Sequence, residues 1–202
     1  MVAPKQALSY HLDEGGMMDL QEIEQGMRQI LKGIGKEHIN AEVAEKTPQR
    51  VARMFAEIFS QIDRDPADVL EVLFQEEYNQ MVACKDIPFF SICEHHFLPF
   101  VGEADIVYIP KGNRIIGASK LARALDIAAS RPQLQERLTS QLADALMERL
   151  DPYGVLVRVE ATHMCMTLRG VKKPGTKFVT SAIRGIFHTN QASREEALAL
   201  IA

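Results

Sequence analysis

Four consecutive residues, Cys93, Glu94, His95 and His96, set a thiol, a carboxylate and two imidazoles side by side within SICEHHFLPF. The chain has three cysteines and six histidines in all, so this is a concentration of donor atoms. Thiolate and imidazole are typical zinc donors, and structural zinc sites normally close with four of them. Cys93 and His96, separated by three, suit a turn around one ion. Cys93 and His95, separated by two, suit a strand, and spacing alone leaves both histidines open. A second pair, His163 and Cys165, lies in VLVRVEATHMCMTL. Read as one strand, that stretch puts Val155, Val157, Val159, Ala161, His163 and Cys165 on a single face. Cys93, one histidine of the first pair and Cys165 make three ligands, which leaves a position for water, as in catalytic zinc sites. The remaining histidine and His163 would then stand beside the metal as proton carriers. Cys84 has no histidine partner on its expected strand and reads as core.

Basic residues gather around these stretches. Ser119 and Lys120 open an expected helix, whose N-terminus attracts anions, and Arg123 follows one turn on. Arg169, Lys172 and Lys173 come directly after the Cys165 strand, and Arg50 falls in the first turn of the helix that begins TPQR. Lys172 and Lys173 taken singly are solvated surface. Together the cations suit a small polyphosphate. Glu136 in QLQERLT lies on a helix between these segments, where a carboxylate alone would be an ordinary exposed one.

The elements that must position these groups follow from periodicity. Leu20, Ile23, Met27, Ile30, Leu31 and Ile34 recur at helical spacing and stop at Gly35. Thr47-Pro48 reads as an N-cap and first helical position, with a helix running to Asp65-Pro66 and a short one after it through Leu73. MVACKDIPFFSI and VGEADIVYIP read as strands. Ser119 reads as the cap of a helix to Ala129, Pro132 as the start of another to Leu150, and FVTSAIRGIF as a last strand. Ser193 and Glu196 form a capping-box pattern before the tail helix. The order is an α+β pattern of hairpin-paired strands. Residues 1–18 are expected to form a flexible arm, 19–75 a helical region, and 76–202 the domain that carries the chemistry.

With 202 residues, a formal charge of −4 and a pI near 5.9, the chain lacks the basic balance of a general nucleic-acid or membrane-surface binder. No apolar run approaches the roughly 18 residues a bilayer span needs. The N-terminus lacks a signal-peptide pattern, so a cytoplasmic location with reduced thiols is expected.

SICEHHFLPFVGEADIVYIP, IIGASKLAR, RPQLQERLT and HMCMTLRGVKKPG, in this order, closely resemble the signature blocks of GTP cyclohydrolase I. The likeness runs from about Leu20 to about His188. It implies a tunnelling fold, a four-stranded antiparallel sheet with two helices on one face, and a homodecamer of two stacked pentamers. It implies one zinc per subunit held by Cys93, His96 and Cys165, with His95 and His163 transferring protons. Glu136 would hold the guanine edge, and Gln135 would help to seat the base. Ser119, Lys120, Arg123 and Arg169 would contact ribose and triphosphate, with Arg50 reaching in from a neighbouring subunit. The implied reaction converts GTP to formate and 7,8-dihydroneopterin triphosphate, the entry to tetrahydrofolate and pterin synthesis. Ala118 and Ser130 depart from the family's usual residues, as does INAEVAEKTPQR, yet none of these removes a ligand or proton carrier.

Other readings fit less well. A nitrile reductase on the same fold needs a cysteine nucleophile and a nicotinamide cofactor, for which no motif is present. A zinc deaminase would show H-x-E followed by P-C-x-x-C. A zinc-stabilised binding module would need a fourth protein ligand and would leave His95, His163 and Glu136 without a shared task.

Overall fold

Side-chain caps decide where the first helices begin. Asp19 accepts hydrogen bonds from the Gln21 and Glu22 amides at 2.9 and 3.0 Å and opens α1, Leu20–Ile34. Asn40 does the same for Glu42 and Val43 and opens α2, Ala41–Ile58. The helix start expected at Thr47-Pro48 is therefore displaced, and Pro48 lies inside α2. The Asn40 cap and the good helix formers of AEVAEK start the helix early, and it continues through the proline despite the lost amide donor. The computed structural model describes residues 18–71 and 74–202. Residues 1–17 of the expected arm, and Val72 and Leu73 of the expected short helix, lie outside them. That helix is a 3-10 turn over Pro66–Val69.

The chain divides into two compact units, one ending at Asp63 and the other spanning Arg64–Ala202. The second contains β1 (Phe74–Gln75), β2 (Val82–Cys93), β3 (Leu98–Ile109), β4 (Arg114–Ile115) and α3 (Ala118–Ala129). It continues with β5 (Pro132–Gln133), α4 (Gln135–Leu150), β6 (Gly154–His163) and α5 (Met164–Thr167). β7 (Phe178–Gly185), α6 (Ile186–Thr189) and α7 (Gln191–Leu200) complete it. The main sheet has the order β5-β2-β3-β6-β7. β2, β3, β6 and β7 are antiparallel neighbours, and the short β5 lies parallel to β2. This is the expected α+β architecture of a four-stranded antiparallel sheet, extended by one two-residue edge.

Alternation along the strands divides the core in two. Ile87, Phe89, Ala104, Ile106, Tyr108, Val155, Val157 and Val159 pack with the apolar faces of α3 and α4. On the opposite face Val107 and Leu156 pack with Phe187, Ala197 and Ile201 from the C-terminal helices. Several boundaries differ from expectation. Pro132 and Gln133 are captured by the edge of β2, so α4 starts only at Gln135. Gly117, not Ser119, occupies the N-cap of α3, which puts Ser119 inside the first turn. β7 stops at Gly185, whose φ of 63° turns the chain into α6. Asn190, not Ser193, caps α7, and its side chain accepts from the Ser193 amide.

Candidate functional site

The sheet brings its chemistry together at one end. Cys93 is the last residue of β2 and His163 the last of β6, with β3 between them pairing Cys93 with Leu98 and Phe100 with His163. After His163 the backbone turns helical, so Cys165 does not lie on the expected strand. The Thr167 hydroxyl donates back to the His163 carbonyl at 3.2 Å, one local bond that accompanies the turn. The turn still delivers the thiol: the ligand atoms of Cys93, His163 and Cys165 all lie within 4.8 Å of one another. β3 and β6 approach closely just before this point. A Cβ on Gly102 would sit 1.9 Å from the Glu160 carbonyl oxygen and 2.6 Å from Ala161 Cα.

The His163 ring is fixed on several sides. It stacks on Phe100 with centroids 4.6 Å apart and meets the edge of Phe178 at 5.5 Å. Its Nε2 lies 2.8 Å from Gln135 Oε1. Gln135 Nε2 donates to the Val159 and Phe178 carbonyls at 3.0 and 2.9 Å. Carbonyls only accept, so the amide can face only one way and its oxygen is turned to His163. His163 Nε2 must then carry the proton, which leaves Nδ1 as the free nitrogen of a neutral ring. Burial pushes the His163 pKa below the usual histidine value, while the charge of Glu136 pulls it the other way. Gln135, expected to seat a base, is 1% exposed and its amide is engaged with protein groups.

Burial, and then the neighbouring Cys93, push the Cys165 thiol above its usual value. A cation bound beside Cys93 would take the place of the Cys165 proton. His95 Nδ1 is 3.9 Å from Cys93 Sγ. His96 stands outside the close group, exposed, with its Nε2 accepting from Arg169 Nη1 at 3.2 Å. Glu136 is exposed in the first turn of α4. Ser119 and Arg123 are exposed on α3, and Lys120 is half-buried beside them. Among the described residues no side chain caps the first turn of α3, and the positive end of the helix favours an anion there. Arg50 is exposed on α2, in the N-terminal unit.

Three contributors escaped the sequence reading. Phe100 and Phe178, which frame His163, looked like ordinary strand residues, although Phe100 falls in a quoted motif. Arg137 forms a two-pronged pair with Glu94 across 43 positions, a separation that no local pattern reveals.

The sequence profile of GTP cyclohydrolase I matches residues 23–202. The GTP cyclohydrolase 1 of Carboxydothermus hydrogenoformans is 56% identical over 92% of this chain and 96% of its own. That of Pelotomaculum thermopropionicum is 57% identical over 92% of this chain and 98% of its own. The Clostridioides difficile protein of the same name is 57% identical over 91% and 97%. Among solved structures, an archaeosine synthase QueF-Like in the apo form overlaps 52% of this chain and 93% of that one, at 20% identity and a TM-score of 0.43.

Proposed function

The chain belongs to the GTP cyclohydrolase I family, and from that premise we propose that its sheet-end cluster is a zinc centre where the imidazole ring of GTP is hydrolysed. The observation that carries the proposal is the convergence of Cys93, His163 and Cys165 within 4.8 Å, with the charge of Glu136 acting on His163. The donor set fits the ion: two thiols and an imidazole are the soft and borderline ligands that zinc takes. Cys93 and Cys165 would hold it with His96 as the imidazole ligand, an assignment that rests on the resemblance of the CEHH block to the family's, while His163 is the imidazole within the 4.8 Å group. Zinc bound there would supply Lewis acidity toward water at neutral pH.

The chain's own groups do the rest. Glu136 accepts hydrogen bonds from the N–H edge of guanine and so fixes the base. The α3 start with Ser119, Lys120 and Arg123, together with Arg169, holds ribose and triphosphate, and Arg50 adds a cation from another subunit. His163 has one free nitrogen and is pinned by Gln135, Phe100 and Phe178. It takes the proton released as water adds at C8 and returns it to a ring nitrogen, and His95 serves the second hydrolysis. Opening leaves a formamide, whose hydrolysis releases formate. The opened ribose then rearranges and closes on the freed amines, giving 7,8-dihydroneopterin triphosphate. The active protein is a homo-oligomer, a decamer of two pentamers. Among the described residues no helix is long and apolar enough to cross a membrane.

Metal analysis of two variants tests the division of labour between the imidazoles. His96→Ala is expected to lose zinc and turnover together. His163→Ala is expected to keep zinc while its turnover falls by roughly 10²–10⁴-fold, the range for a lost general acid–base group. The reverse pattern would make His163 the ligand and His96 the proton carrier.

A further inference from the structure

Glu94 sits between Cys93 and His95, and neither the metal reading nor the proton reading uses it. Its carboxylate meets the Arg137 guanidinium in two parallel contacts, Oε2 to Nη1 at 2.6 Å and Oε1 to Nη2 at 2.9 Å. Arg137 hydrogen bonding holds the Glu94 carboxyl below its usual range, so the pair is ionised at neutral pH. Arg137 directly follows Glu136 in the first turns of α4. The pair thus joins the turn that carries His95 and His96 to the helix start that carries Gln135 and Glu136.

Backbone pairing holds the first part of this junction. Ile92 and Cys93 pair with Pro132 and Gln133, and the Glu94 amide donates to the Gln133 carbonyl at 3.1 Å. Among the described residues the backbone pairing of this edge runs as far as Glu94. Beyond it His95, His96 and Phe97 are exposed, and Phe97 has a φ of 52°, in the left-handed region that bulky residues avoid. A backbone held in a sparsely populated conformation persists only where its surroundings constrain it. The Phe97 amide bond to the Cys93 carbonyl, 2.9 Å, is one such constraint from within the turn. The two-pronged pair supplies a second from outside it, with the directional fork that Arg and carboxylate form and Lys cannot.

We infer that Glu94 and Arg137 are positioning residues, which fix the Cys93–Phe97 turn against the start of α4 so that its imidazoles stay in register with Glu136. The inference rests on the zinc and GTP reading above. Both side chains are partly exposed, 32% for Glu94 and 41% for Arg137, and an exposed ion pair adds little to global stability. Its consequence is therefore local order and ligand placement.

The test uses the zinc-loaded assembled enzyme and four variants: Arg137→Met, Arg137→Lys, Glu94→Gln and the Glu94→Gln/Arg137→Met double. Zinc loss to a chelator, amide hydrogen exchange over residues 94–97, and kcat and KM for GTP are read on each. Arg137→Met and Glu94→Gln are expected to lose zinc roughly tenfold faster, as when outer partners of metal ligands are removed, with a comparable fall in kcat. Exchange in the turn should rise while the melting temperature holds. Arg137→Lys should recover only part of the loss, and the double variant should be no worse than the poorer single one. Wild-type zinc loss and exchange in both single variants would overturn the inference. So would independent, multiplying effects in the double variant, or a fall in melting temperature that tracks zinc loss across the set. A wild-type protein that made no formate from GTP would defeat the function reading instead, and the zinc-loss and exchange comparisons would still decide the role of the pair.

Discussion

Gln135 shows how much of the site's chemistry is set by one buried amide. Two backbone carbonyls claim its nitrogen and so turn its oxygen toward His163, which determines the nitrogen that bears the proton. Replacing it with leucine of similar bulk would leave the Val159 and Phe178 carbonyls and His163 Nε2 without this partner. Gln135→Leu is therefore expected to lose about 1–3 kcal/mol of unfolding free energy, the cost of stranding buried polar groups, and to lower kcat with zinc retained. Chemical denaturation, metal analysis and formate release check the three parts. A variant as stable and active as the parent would show that Phe100 and Phe178 suffice to hold the ring.

Among the elements, the β3–β6 pair places the cluster, and Gly102 lets those strands come together. A methyl group there would lie 1.9 Å from the Glu160 carbonyl oxygen, which is backbone and cannot swing aside. Gly102→Ala should cost more than about 2 kcal/mol as the strands are forced apart. It should also loosen the stacking of His163 on Phe100, visible as lower zinc affinity alongside a lower melting temperature. Equal stability would mean that the sheet accommodates the methyl by a shift in register. The strands themselves were legible in the sequence because period-two apolar alternation survives in β2, β3 and β6. The strand end at His163 was not, because HMCMT contains no glycine or proline to announce a helical turn. Cys165 was therefore associated with Cys93 and His163 for a partly mistaken reason: its thiol arrives by the turn of α5, not by strand alternation. The helix start at Asn40 was missed because proline is such a strong start signal that it outweighed a better cap seven residues earlier. The approach of Cys93, His163 and Cys165 was foreshadowed by residue types and spacing. Phe178 and the Glu94–Arg137 pair depend on contacts between elements far apart in the chain.

The molecule as a whole leaves apolar surface that a single chain does not cover. Phe90 and Val101, cross-strand neighbours on β2 and β3, are 55% and 49% exposed, and Val179 on β7 is 50% exposed. In the other unit no residue of α1 is buried, although its apolar residues recur at helical spacing. Exposed apolar surface of this kind marks protein interfaces, and the proposed homo-oligomer would cover it. Light scattering should give a mass several times that of one chain. Dilution or mild dissociation should abolish turnover if Arg50 completes the site of another subunit. A fully active monomer would remove both the assembly and the role of Arg50.

Zinc-dependent turnover of GTP is decided by incubating the zinc-loaded protein with GTP, with and without a chelator. Formate is measured together with pterin fluorescence after oxidation. Both products are expected to form, the chelator to abolish both, and restored zinc to bring both back. Formate and pterin produced unchanged in the zinc-stripped protein, or neither product from an assembled, zinc-replete one, would contradict zinc-dependent turnover of GTP.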